Sequence, residues 1–298
     1  MNLMLSKVRG SAKGQAQPTN TSTYRTNLLL ERIGKLDYPL PTERLSEVTS
    51  LMRLEPHHRV LTIAAYGWGI AFLPACSSVI AIDADKFQIA LNTIYAVAIK
   101  KFGRDEFERF VTVLFHTKDD EETKVSVIAY WRAIEADIPE EIRKEARQIM
   151  LKGRLDRHMR FHIPYGTKPR LRKPDIVTEV FPHMKDDDSY RTTAERITNG
   201  NFKLAHLLLP GDLDEIDGRF DRIFLTNVIT FISRMNGLTK TGVMEEFLSR
   251  LRGILNEGGL MLETEHGHDG FFVDRLMGTD ARVIERRTTD TWQYTTFC

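Results

Sequence analysis

Residues 59–92 read RVLTIAAYGWGIAFLPACSSVIAIDADKFQIALN. An apolar run, Val60 to Ala65, stops at the glycine-bearing turn Tyr66-Gly67-Trp68-Gly69. A second apolar run, Val79 to Ile82, ends in Asp83 and Ala84. A buried strand, a glycine turn, a helix and a second strand closed by a carboxylate form the order in which doubly wound sheets hold an adenosine. Glycine lets the backbone approach the ligand, and the acid accepts the ribose hydroxyls. Ala65, Gly67, Gly69, Asp83 and Ala84 are therefore candidate cofactor-binding positions. A dinucleotide site prefers G-x-G-x-x-G, but the third glycine position is Phe72 here. The expectation moves toward a different adenosine cofactor.

Working outward, KFQIALNTIYAVAIKKF after Asp85 repeats apolar residues at three- and four-residue spacing and predicts an amphipathic helix of about four turns or more. Upstream, residues 1–22 are small and polar and read as a flexible leader. Tyr24 to Ile33 and Glu43 to Leu54 have helical spacing around the breaker Asp37-Tyr38-Pro39-Leu40-Pro41. Downstream, residues from about 103 to 196 are charge-rich and helical in rhythm. DEFERFVTVLF, KVSVIAYWRAIEADI and EEIRKEARQIML each predict a helix, the last opening at Pro139, and a loop with Pro164, Pro169, Pro174 and Pro182 follows. An α/β fold needs only a short connection there. The block is read as a helical insertion forming a substrate pocket or lid.

The α/β rhythm then resumes. Phe202 to Leu209, Phe220 to Thr226 and Leu260 to Thr264 predict strands, and Thr241 to Leu255 a helix with Gly258-Gly259 as its stop. ARVIERR and TWQYTTF, joined by Thr288-Thr289-Asp290, predict a closing antiparallel hairpin. The expected fold is α/β: the Rossmann-like sheet of class I S-adenosylmethionine (SAM) methyltransferases, with a terminal hairpin and a helical insertion. It makes residues 23–298 one domain.

Composition excludes several classes. A net charge of +1 gives no global pull toward nucleic acid or an anionic membrane. Two cysteines, Cys76 and Cys298, make neither a disulfide framework nor a cysteine-rich metal site. No run approaches the roughly 20 apolar residues of a membrane span. A cytoplasmic protein with a small-molecule substrate and no nucleic-acid partner is expected, with a homodimer left open. His57-His58, His158 with His162 and His266 with His268 do not form H-E-x-x-H, so no metal is expected. Lys152 to Lys173 holds eight Lys/Arg against the single acid Asp156 and reads as a solvated basic face. It leaves one alternative: a non-catalytic RNA- or membrane-binding protein on a methyltransferase fold.

Further candidates lie at the ends of the later strands. The third ends in Leu209-Pro210-Gly211-Asp212-Leu213, where class I enzymes place an acid near the adenine amine. The fourth ends in Thr226-Asn227, where a polar group faces the sulfonium and amino-acid part of the cofactor. Asp212, Leu213 and Asn227 thus join the first five positions outside the carboxyl ends of the strands.

VLTIAAYGWGIAFL, VIAIDADKFQIALNTIYAVAIKKFGRDEFERF, AYWRAIEADIPEEIRKEARQIMLKGRL and FDRIFLTNVITFIS together resemble the SAM:diacylglycerol 3-amino-3-carboxypropyltransferases of betaine-lipid synthesis. The resemblance covers most of residues 58–265. Where that family has S-D-H-x-D-W, this chain has Thr226-Asn227-Val228-Ile229-Thr230-Phe231, so Asn227 and Thr230 replace two acids. Asp85 stands where the family has Asn. The resemblance implies attack at the γ-carbon of the methionine moiety, with release of methylthioadenosine. The acceptor is a small amine or the cofactor's own amine, the latter giving azetidine-2-carboxylate as azetidine-2-carboxylate synthases do. Ordinary SAM-dependent methyl transfer is the alternative.

Whichever sulfonium carbon lies in line with a nucleophile reacts. The protein therefore holds geometry, keeps the amine unprotonated and offers aromatic faces to the cation. Candidates are Tyr165, Tyr190 and Asn227 for catalysis and Tyr24 for the cofactor, with Arg25 or Arg191 for its carboxylate.

Overall fold

A computed structural model describes residues 45–114, 121–151, 181–226, 228, 241–266, 282–288 and 292–298. Seven strands form one sheet: β1 (Arg59–Ile63), β2 (Ser78–Asp83), β3 (Phe202–His206), β4 (Phe220–Phe224), β5 (Leu255–His266), β6 (Val283–Thr288) and β7 (Trp292–Phe297). Their order is β3-β2-β1-β4-β5-β7-β6. The first five run parallel, while β7 is antiparallel to both β5 and β6. This is the class I SAM-methyltransferase sheet that the sequence predicts, closing hairpin included.

The described helices are α1 (Leu45–Met52), α2 (Trp68–Phe72), α3 (Lys86–Lys101), α4 (Arg104–Leu114), α5 (Glu121–Ile134), α6 (Glu140–Leu151), α7 (Asp187–Thr198) and α8 (Thr241–Gly253). One sheet face packs Val60, Ala64, Val79, Ala81, Phe202 and Phe224 against α1, α2, α3 and α7. The other packs Leu61, Ile63, Ile82, Ile223 and Met261 against α8. The alternation of neighbours such as Val60 and Leu61 between the two faces is the period-2 geometry of a strand covered on both sides.

The strand starts are tied by side chains. Asp221 accepts the Arg59 N–H at 2.8 Å and the Asn256 amide at 2.7 Å, joining the beginnings of β1, β4 and β5. Arg222, buried on β4, donates to the carbonyls of Met52 and Arg53 and satisfies the last turn of α1.

Two expectations change. The predicted amphipathic helix exists as α3, but it is buried from Phe87 through Ile99 on every side. The sheet covers one side, and the insertion helices α5, α6 and α7 pack on it as well. Gly258-Gly259 is not a helix stop: α8 ends at Gly253, and both glycines lie inside β5, beside a register shift between Phe220 and Arg222. The chain turns directly from α8 into the strand through Ile254, whose N–H bonds the Leu251 carbonyl at 3.2 Å. The leader and the first predicted helix lie outside the described residues.

Candidate functional site

In a parallel sheet, ligands bind outside the carboxyl ends of the strands, where the strand order reverses. Here the reversal lies between β1 and β4. The turn after β1 begins at Ala64, whose N–H bonds the Ile82 carbonyl at 2.7 Å. Ala65–Gly67 then forms a single 3-10 turn, and Gly67 takes the left-handed conformation, φ 85°, that launches α2. A side chain there would be strained, since L residues avoid this region. Gly69 does a different job. A Cβ at Gly69 would stand 2.7 Å from the Ala81 Cβ and from the Phe202 ring, so this glycine lets α2 lie flat on the sheet.

Asp83 ends β2 half-buried, and its Oδ1 accepts the Asp85 N–H at 2.9 Å. Burial pushes its pKa up to about 7 against the pull of that bond. Asp85 caps α3 by accepting the Phe87 N–H at 2.8 Å. Ala84 lies between them, and its carbonyl lies 2.9 Å from Nε2 of His206.

After β3, Asp212 folds back on its own turn: its Oδ2 accepts the Leu208 N–H at 2.8 Å. Leu213 is buried in the core on the α8 side, so its side chain packs beneath the turn. At the end of β4, Thr226 is buried with φ 54°, and its carbonyl accepts the Thr264 N–H at 2.7 Å. A threonine in the left-handed region is strained, and such positions gather at functional edges.

The structure thus brings Ala65, Gly67, Asp83, Ala84 and Asp212 to one edge of the sheet. It puts Tyr190 elsewhere. The Tyr190 hydroxyl meets the Phe102 carbonyl at 2.8 Å and the Ile99 carbonyl at 3.2 Å, at the opposite end of α3 from Asp85. Its ring packs with Phe107 and His183 in an aromatic cluster. Arg191 is exposed and pairs with Asp188 at 2.7 Å. Tyr24, Arg25, Tyr165 and Asn227 lie outside the described residues.

Sequence reasoning missed His206 and, at Thr226, the left-handed backbone. A lone histidine at a strand end and a threonine closing an apolar strand carry no motif; only the sheet register and the backbone angle reveal what they do. Among the described residues, Glu55, His57 and His58 bring three ligand-type atoms within 4.8 Å of one another. They precede β1, at the opposite edge of the sheet, and His58 Nδ1 already accepts the Glu55 N–H at 3.0 Å. No described helix is long and apolar enough to cross a membrane.

No protein-family model matches the chain, and no curated protein matches it. Solved structures do. The N-methyltransferase NodS from Bradyrhizobium japonicum WM9, in complex with S-adenosyl-L-homocysteine (SAH), aligns over 94% of this chain and 98% of its own at 11% identity and TM-score 0.37. Precorrin-6y C5,15-methyltransferase from Geobacter metallireducens GS-15 aligns over 85% and 86% at 13% identity and TM-score 0.35. Precorrin 8W decarboxylase from Methanobacterium thermoautotrophicum aligns over 89% and 99% at 9% identity and TM-score 0.35. Likeness at this level says nothing of substrate or chemistry.

Proposed function

We propose that this chain is a SAM-dependent transferase that holds its cofactor across the carboxyl ends of β1, β2 and β3. One observation carries the reading: Asp83, a half-buried acid closing β2, stands beside a turn whose glycine is left-handed. A carboxylate so placed suits paired ribose hydroxyls, because charge-assisted hydrogen bonds strengthen where water is excluded. Asp212 spends Oδ2 on its own turn, so Oδ1 is the oxygen for the adenine amine. The Ala65–Gly67 turn lies where the amino-acid end of the cofactor would pass. These residues fit the group.

SAM, when bound, supplies a sulfonium with more than one electrophilic carbon. The chain's part is orientation and exclusion of water, which decide the carbon that meets the nucleophile. We assign transfer of the 3-amino-3-carboxypropyl group, either to a small amine or to the cofactor's own amine with closure to azetidine-2-carboxylate. The four-segment resemblance to the betaine-lipid enzymes supports this, as does the helical block built onto α3. In this reading Asn227, next in sequence after Thr226, is the uncharged neighbour of the amine. Methyl transfer is the second reading, favoured by the bare sheet order, which is that of class I methyltransferases.

Mass spectrometry of the purified chain incubated with SAM alone separates the two. Methylthioadenosine with azetidine-2-carboxylate supports cyclisation, and methylthioadenosine appearing only with an added amine supports transfer. SAH formed only with an acceptor would replace the aminocarboxypropyl reading with methyl transfer.

A further inference from the structure

Helix α3 turns a polar face toward the turn after β1. Asn92 and Tyr95 are three residues apart on α3, hence neighbours on one face, and both are fully buried. The Asn92 amide donates to the Ala64 carbonyl, where the turn begins, and to the Gln88 carbonyl at 2.9 Å. The Tyr95 ring lies under Gly67, where a Cβ would stand 3.5 Å from two of its carbons. Phe181 meets the Tyr95 ring edge-on, centroids 5.1 Å apart, and also comes within 4.0 Å of that Cβ position.

Asparagine is a poor choice for the middle of a buried helix on both propensity and desolvation. A leucine there would fill space and leave the Ala64 carbonyl with only the long 3.4 Å bond from Gly67 N–H. On this same face of α3, Asn92 Oδ1 and the Tyr95 hydroxyl are buried without a partner among the described residues. Buried unpartnered groups are rare in native proteins, and each calls for an explanation.

We infer that Asn92 is a positioning residue for the cofactor: its amide fixes the Ala64 carbonyl and, with the Tyr95 ring beneath Gly67, sets the path of Ala65–Gly67 past the ligand. This rests on the SAM reading of the same edge. Asn92 does not meet the reacting atoms, so its loss weakens capture of the cofactor and spares the chemical step. The test is SAH binding by calorimetry, with steady-state kinetics, for Asn92→Ala and the isosteric Asn92→Asp. Thr93→Val is the control, because it deletes a buried helix hydroxyl that, among the described residues, bonds the Ile89 carbonyl at 2.9 Å and nothing at the turn. At a temperature where all variants are folded, both Asn92 variants should bind SAH at least tenfold more weakly, with KM for SAM raised in proportion and kcat within threefold. Thr93→Val should match the wild type even if it melts earlier. If whichever Asn92 variant folds binds as Thr93→Val does, the inference is overturned. Failure of the wild type to bind SAH would instead overturn the SAM reading itself.

Discussion

Asp83 and His206 stand in register on adjacent parallel strands, and the His206 ring nitrogen lies 2.9 Å from the carbonyl of Ala84, the residue after Asp83. The imidazole thus ties the end of β3 to the short turn that carries the acid. Asp83 itself is fixed along the chain, where its carboxylate accepts the Asp85 N–H, and across the sheet, where its backbone carbonyl accepts the Leu207 N–H at 3.0 Å.

Asp83→Ala should weaken SAH binding about 10- to 100-fold, the size expected when a charged hydrogen-bond acceptor is removed. Calorimetry checks this, and unchanged affinity would refute the placement of the ribose.

The raised pKa of Asp83 gives a pH dependence with a definite sign. The folded chain keeps this proton to about pH 7, whereas the ordinary value is 3.8. Between those values the folded state binds more protons than the unfolded one, so this group's contribution to stability declines as pH rises. Asp83→Asn removes the titration and should gain about 1–3 kcal/mol over the wild type between pH 4 and pH 8, after allowance for partial solvation. Urea midpoints at both pH values measure the difference. On the proposed function the ionised form accepts the ribose hydroxyls, so SAH affinity of the wild type should rise about tenfold from pH 6 to pH 8, in proportion to the competent fraction.

The two turn glycines should fail differently. Gly67→Ala forces a left-handed alanine and should cost about 1–2 kcal/mol. Gly69→Ala drives a methyl into Ala81 and Phe202 and should cost about 1–3 kcal/mol by overpacking. Denaturant titration reads both; a neutral Gly69→Ala would mean that α2 can lift off the sheet freely.

Tyr190→Phe should lose about 1 kcal/mol, the worth of its bond to the Phe102 carbonyl. Turnover should not change. A tenfold drop in kcat at full folding would return Tyr190 to the site.

The strands were legible because fully buried parallel strands write themselves as short apolar runs, and Asp83 was legible because a carboxylate ending such a run breaks the pattern. Gly258-Gly259 misled because the same dipeptide that often stops a helix can also sit in a strand beside a register shift. Tyr190 misled because a tyrosine's sequence does not tell whether its hydroxyl faces a ligand or two main-chain carbonyls. His206 and Asn92 were invisible for another reason: each acts on a backbone carbonyl more than a hundred or almost thirty residues away in sequence. Only the fold brings those partners together.

The burial of α3 on all sides also bears on how the molecule comes apart. A helix held by the sheet on one side and by later helices on the other belongs to both, so neither layer can open without uncovering it. Its amide protons should be among the slowest in the chain to exchange with solvent. A shortened chain with residues 104–198 spliced out would present a bare apolar rod to water, the kind of surface by which proteins aggregate. The inserted block is therefore the second half of a shared interior and not a detachable accessory.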